Sequence, residues 1–128
     1  MRGARDYREL VVWQLADALH SETLKLTSAN PWARDFTLRD EAIKTASQIV
    51  RNIPEGFRRN SHPDFARLLQ YSYSSLGELR SLFDQAQKQK YVTAQQLQPA
   101  RQLCYRLERA LLRFISYLRR TAPPPWWH

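Results

Sequence analysis

A chain of 128 residues, 43% hydrophobic and 25% charged, suits one globular domain and excludes a disordered segment. Its formal net charge is +8, and the excess is uneven: residues 1–50 hold seven basic and seven acidic residues, residues 51–128 hold 13 and five. Of the 20 basic residues 16 are arginine, whose planar fork suits phosphate and carboxylate, so an acidic partner is expected, nucleic acid first. A solvated face that keeps the protein in solution accounts for the same charge.

Three glycines are few, and most of the seven prolines sit near the ends of periodic segments, which favours long helices over short strands. The single cysteine, Cys104, excludes an intrachain disulfide and points to a reducing, cytoplasmic setting. It lies on an apolar helical stripe and reads as an inert core residue. No run of 18 apolar residues occurs, so no membrane span is expected. The opening Met-Arg-Gly-Ala-Arg-Asp lacks the apolar region of a signal peptide.

Four helical segments follow in chain order. Val12, Ala16, Leu19, Thr23 and Leu26 predict a helix over 7–29, ended by Asn30-Pro31. Leu10, Val11, Trp13 and Leu15 widen its face toward a second neighbour. Leu38, Ala42, Ala46, Ile49 and Ile53 predict a helix over 37–57, with Thr37 as N-cap and Asp40 and Glu41 in its first turn. Pro54 should kink or end it, with Gly56 just beyond.

The third helix, 61–89, starts at the N-cap Ser61 with Pro63 in its first turn and Asp64 in a weak capping box. Phe65, Leu69, Ser72, Leu76, Leu79, Phe83 and Ala86 keep a strict 4-3 spacing. The fourth, 93–121, starts at Thr93 with Gln96 as capping partner. Leu97, Ala100, Cys104, Leu107, Leu111, Phe114 and Leu118 keep the complementary 3-4 spacing. Such spacing on neighbouring helices is the mark of shallow, near-antiparallel packing. With short linkers it predicts an all-α, up-down-up-down antiparallel four-helix bundle over residues 1–121. The tail, 122–128, carries Pro123, Pro124 and Pro125 before Trp126 and Trp127, and reads as an extended segment whose tryptophans dock on this chain or a neighbouring subunit.

Catalytic signals are poor, and no enzyme is expected. His20, His62 and His128 are scattered without a second ligand at helical metal-site spacing. No serine has a His–Asp pair placed to activate it, and no glycine-rich phosphate loop occurs. Neither a metal nor a cofactor is expected. The basic elements say more. Arg106, Arg109, Arg113 and Arg120 fall within about 60° on a helical wheel, opposite the Leu107/Leu111/Leu118 stripe, as a ridge about 20 Å long. Arg101 and Arg119 flank it, and Tyr105 and Tyr117 interleave. Arg58 and Arg59 end the second helix, and Arg67 lies one turn into the third. Arg58, Arg59, Arg67, Arg101, Arg106, Arg109, Arg113 and Arg120 are therefore the candidate phosphate contacts for RNA or DNA. A solvated face, or ion pairs to other subunits or a partner protein, explains them equally.

Asn52, Glu55, Ser72 and Glu78 form a candidate buried polar cluster that fixes register between the second and third helices, with Gly77 allowing close approach. A ligand or partner pocket is the functional alternative.

Four blocks carry a resemblance: Val11-Val12-Trp13-Gln14-Leu15-Ala16, Asn52-Ile53-Pro54-Glu55-Gly56-Phe57-Arg58-Arg59, Ser61-His62-Pro63-Asp64-Phe65 and Ser74-Ser75-Leu76-Gly77-Glu78-Leu79. In this order and spacing they resemble the four-helix-bundle proteins encoded in intervening sequences of bacterial large-subunit ribosomal RNA genes, over about residues 7–120. Pro54 stands where that pattern has alanine, and Ser74 where it has glycine. The resemblance implies a cytosolic bacterial protein that assembles as a ring-shaped homopentamer. The pattern is also similar to accessory proteins of diversity-generating retroelements, basic pentamers that contact reverse transcriptase and nucleic acid. Neither likeness implies an activity.

Overall fold

Residues 4–121 are described by the computed structural model. Four helices make up most of them: α1 Val11–Thr27, α2 Phe36–Phe57, α3 His62–Lys88 and α4 Ala94–Arg120. No strand occurs among the described residues.

Three of the helix starts follow from a side-chain cap. Ser61 Oγ accepts from the Asp64 N–H at 3.1 Å, satisfying a donor that the first helical turn leaves unpaired. Thr93 and Gln96 cap each other's backbone N–H at 3.1 and 2.9 Å, the reciprocal box expected from the sequence. For α2 the cap is Asp35 and not Thr37: its carboxylate accepts from the Leu38 N–H at 3.1 Å. Asp40 and Glu41 consequently lie beyond the first turn.

The first segment is broken. Asp6 and Glu9 cap a short 3-10 turn over Tyr7–Glu9. Leu10 is extended, at ψ 132°, and α1 starts only at Val11. The Gln14 carboxamide donates to the Arg8 carbonyl at 3.0 Å and ties the two pieces together. α1 ends at Thr27, and a 3-10 turn over Trp32–Arg34 follows. That turn places Trp32 in the core at 0% exposure, edge-on to Phe83 with ring centres 6.3 Å apart.

Pro54 does not end α2. The helix runs through it to Phe57, and the Arg58 N–H closes onto the Pro54 carbonyl at 3.2 Å. Ile53 and Gly56, on either side, are both buried, so tertiary packing outweighs one missing hydrogen bond. Gly56 is no terminator either. A Cβ there would come within 2.5 Å of the Phe65 ring, so glycine is what lets α3 approach. Gly77, by contrast, faces open space, and the close approach expected there does not occur.

α3 closes on a paired return: the Lys90 N–H bonds to the Gln87 carbonyl and the Tyr91 N–H to the Ala86 carbonyl, each at 2.9 Å. Lys90 takes the left-handed conformation, φ 64°, that this motif requires.

α1 packs on α2 and α4, and α3 packs on the same two. One core joins all four: Leu19 from α1, Ile49 and Ile53 from α2, Leu69, Leu76 and Phe83 from α3, Leu97, Leu107 and Leu111 from α4. Every position of the 4-3 stripe on α3 is buried. On α4 all but the half-buried Phe114 are. The result is a single all-α domain.

Candidate nucleic-acid interface

α4 turns its apolar stripe inward and its arginines outward. Arg106, Arg109, Arg113 and Arg120 are all exposed. The one acid of α4, Glu108, is turned to α3, where it pairs with Arg80 at 3.1 Å. No ion pair to a described residue is made by any of the four ridge arginines. Arg109 lies over the Tyr105 ring, 5.6 Å from its centre, and Tyr105 itself is 57% exposed. A shallow hollow of about 390 Å³ beside it is lined by Gln98, Arg101, Gln102, Tyr105 and Arg106.

The other candidate arginines divide. Arg58 is exposed and unpaired among the described residues. Arg59 pairs with Glu55 at 3.0 Å, one turn back on α2. Arg67 lies 3.6 Å from Asp64 and donates to the Tyr71 hydroxyl at 3.2 Å. The Tyr71 bond, foremost, raises the guanidinium above its ordinary pKa. Arg101 crosses to Asp84 at 2.8 Å and to Gln87 at 3.2 Å. Arg119, the other flank, reaches Gln70 at 3.5 Å. So the seam between α3 and α4 absorbs part of the basic surface and leaves the outer ridge alone.

The expected buried cluster of Asn52, Glu55, Ser72 and Glu78 does not form as one unit. Ser72 is fully buried and donates to the Ile49 carbonyl at 2.8 Å, a direct link from α3 to α2. Asn52 is half-buried and turns back on its own helix, donating to the Gln48 carbonyl at 2.9 Å. Glu55 and Glu78 are exposed. Each helix residue is rotated about 100° from the next, so Glu78 points away from the core that Leu79 enters. Above Ser72, an open cleft of about 490 Å³ is lined by Gln48, Arg51, Asn52, Glu55, Tyr71 and Ser75. Arg51, Gln48 and Tyr71 did not stand out in the sequence, because they meet only once α2 and α3 lie side by side.

The chain matches the model of the 23S rRNA-intervening sequence protein family over residues 8–113. It belongs to that family. No curated protein matches it.

Three groups of this family member, Cys104, His62 and Asp35, take part in packing or in hydrogen bonds between elements. Cys104 is buried, and burial pushes its thiol pKa up to about 11, away from the thiolate that a nucleophile needs. His62 is buried at the start of α3, its Nδ1 3.0 Å from the Thr121 hydroxyl and 3.1 Å from the Thr121 carbonyl, which joins that helix start to the end of α4. Asp35, besides capping α2, accepts from the Tyr91 hydroxyl at 2.8 Å. This bond, with desolvation behind it, raises the phenol above its ordinary pKa. No group of three or more His, Cys, Asp or Glu that could hold a metal ion occurs among the described residues. No helix among them is long and apolar enough to cross a membrane. The Pro/Trp tail and His128 lie outside the described residues.

Proposed function

We propose that this protein is a non-enzymatic, oligomeric accessory protein of the cytoplasm that binds nucleic acid through backbone phosphates, RNA ahead of DNA. The observation that carries the reading is the outer face of α4: Arg106, Arg109, Arg113 and Arg120 are exposed, free of carboxylates among the described residues, and interleaved with the exposed Tyr105 ring. Arginines without acid partners are available to displace counterions from a phosphate backbone, and an aromatic between them offers a stacking surface. The family's description ties it to a sequence that intervenes in 23S rRNA, so RNA is the first nucleic acid to test.

The assembly belongs to the same reading. Up-down-up-down order is supported for its last two helices by their cross-helix partners. His62, Gln70, Arg80 and Asp84 along α3 meet Thr121, which caps the end of α4, and then Arg119, Glu108 and Arg101 on it, one series rising as the other falls. The ring-shaped homopentamer is what the family resemblance implies. Val11, Leu24 and Leu112, at 58%, 42% and 45% exposure, supply apolar surface for subunit contact.

Filter binding to mixed RNA tests the main claim. Affinity should fall steeply between about 50 and 200 mM salt. No binding at the low-salt end refutes it. The second reading, a protein-interaction module, is favoured by the groove of about 330 Å³ where Val11 and Phe114 lie beside Arg113. Charge reversal at Arg109 and Arg113 separates the two. Loss of the oligomer by light scattering supports the module. Loss of RNA binding with the oligomer intact supports the phosphate ridge.

A further inference from the structure

Resting on the nucleic-acid reading above, we propose that the cleft between α2 and α3 takes one adenine base of a bound single strand, with Tyr71 as the stacking platform and the Gln48 carboxamide reading the base edge. The cleft is separate from the α4 ridge and adds a base preference to it.

Several features converge. Tyr71 is 48% exposed, and its hydroxyl is held by Arg67 at 3.2 Å while the same guanidinium lies 5.8 Å from the ring centre. The ring is thus fixed from one end, and base–aromatic stacking is favourable for any base. The Gln48 carboxamide, half-buried in the cleft wall, has no hydrogen-bond partner among the described residues. On the Hoogsteen edge a carboxamide's donor–acceptor pair matches the amino group and N7 of adenine, an edge that cytosine and uracil do not offer because they have no N7. Guanine offers two acceptors on that edge and suits arginine better.

Asn52 is anchored by its bond to the Gln48 carbonyl, leaving its own amide oxygen for the base. Arg51, exposed on the rim and without an ion pair among the described residues, is placed for the adjoining phosphate. The one acid in the lining, Glu55, is held by Arg59 at 3.0 Å, which offsets its repulsion of the strand. Beneath the cleft, the Ser72–Ile49 bond of 2.8 Å fixes the spacing of the two helices, so the site is formed before the base arrives. The volume of about 490 Å³ falls in the range of small-ligand sites.

Fluorescence anisotropy with dodecamers of adenylate, uridylate and cytidylate, and with an alternating guanylate–uridylate strand, tests this at about 50 mM salt. The adenylate strand should bind about tenfold tighter than the uridylate or cytidylate strand. Gln48→Leu, which keeps the size of the side chain, should remove that preference with helicity by circular dichroism unchanged. Tyr71→Ala should weaken all strands by about tenfold, and Tyr71→Phe, which loses the hydroxyl bond but keeps the ring against Arg67, should restore most of that loss. Equal, salt-dependent binding of every strand overturns the base cleft and leaves the phosphate ridge standing. A preference for adenylate that survives Gln48→Leu overturns it too. Preference for the guanylate strand assigns the edge to Arg51 instead and refutes the adenine assignment. No binding of any strand at low salt removes both proposals.

Discussion

The joint between α2 and α3 and the outer ridge of α4 are both rich in the residues that distinguish this sequence, and they obey opposite rules. At the joint everything is fitted. Gly56 leaves room for Phe65, which is fully buried and meets Phe57 and Phe114 edge-on at 6.3 and 5.2 Å. Ser72 spends its one hydroxyl on the Ile49 carbonyl. On the ridge nothing is fitted: Arg106, Arg109, Arg113 and Arg120 touch no carboxylate among the described residues. Packed groups lose much when altered, and exposed unpaired charges lose little. Stability therefore resides at the joint, and the ridge is left free for a partner.

That contrast can be broken at its strongest point. Phe65→Ala should lower the unfolding free energy by about 3–5 kcal/mol in urea, through lost burial and the cavity left behind. A loss below about 1 kcal/mol would mean the joint is not tightly packed. The inner face of the ridge helix sharpens the contrast next. The folded state holds the Cys104 proton up to a pH of about 11, higher than the unfolded chain does. This contribution is therefore complete below about pH 9 and is lost as the pH rises through 11. Stability should fall by about 2–3 kcal/mol more over that interval than in Cys104→Ala. Parallel pH profiles for the two proteins would show that the thiol is not buried.

Gly56→Ala should come third, a loss of about 1–2 kcal/mol despite alanine's better helix propensity, because the added methyl meets the Phe65 ring. A gain in stability would show the ring moving aside freely. The smallest effect belongs to the ridge. Arg109→Ala with Arg113→Ala should change stability by less than about 0.5 kcal/mol, and a larger drop would place these arginines in a structural contact.

Most of the joint's apolar frame is legible in the spacing of the sequence alone. A strict 4-3 spacing can be satisfied by one face of one helix, so Leu69, Ser72, Leu76, Leu79 and Phe83 were placed correctly, as were the caps at Ser61 and Thr93. Local punctuation was less reliable. Pro54 reads as a kink or an end, with Gly56 just beyond, but burial on both sides carries α2 through to Phe57. Asp35 caps α2 because the Trp32 turn delivers it there, and nothing in the periodic pattern marks that turn. The ridge was legible because a helical wheel needs only one helix. Which arginines are neutralised was not, since Asp84 meets Arg101 and Arg80 meets Glu108 only across two packed helices. The exposure of Glu78 has a different cause, within one helix: adjacency to a core residue in sequence says little about which side of the helix a carboxylate occupies.

Phosphate binding by the α4 ridge is decided by the salt dependence of RNA binding in the native protein and in a variant carrying Arg106→Glu, Arg109→Glu and Arg113→Glu. Plotted as log affinity against log salt, the native slope should be shallower in the variant by about 2, from three lost single-strand phosphate contacts at about 0.7 each, with unfolding curves of the two proteins superimposed. Equal slopes would contradict the ridge as the phosphate-binding surface.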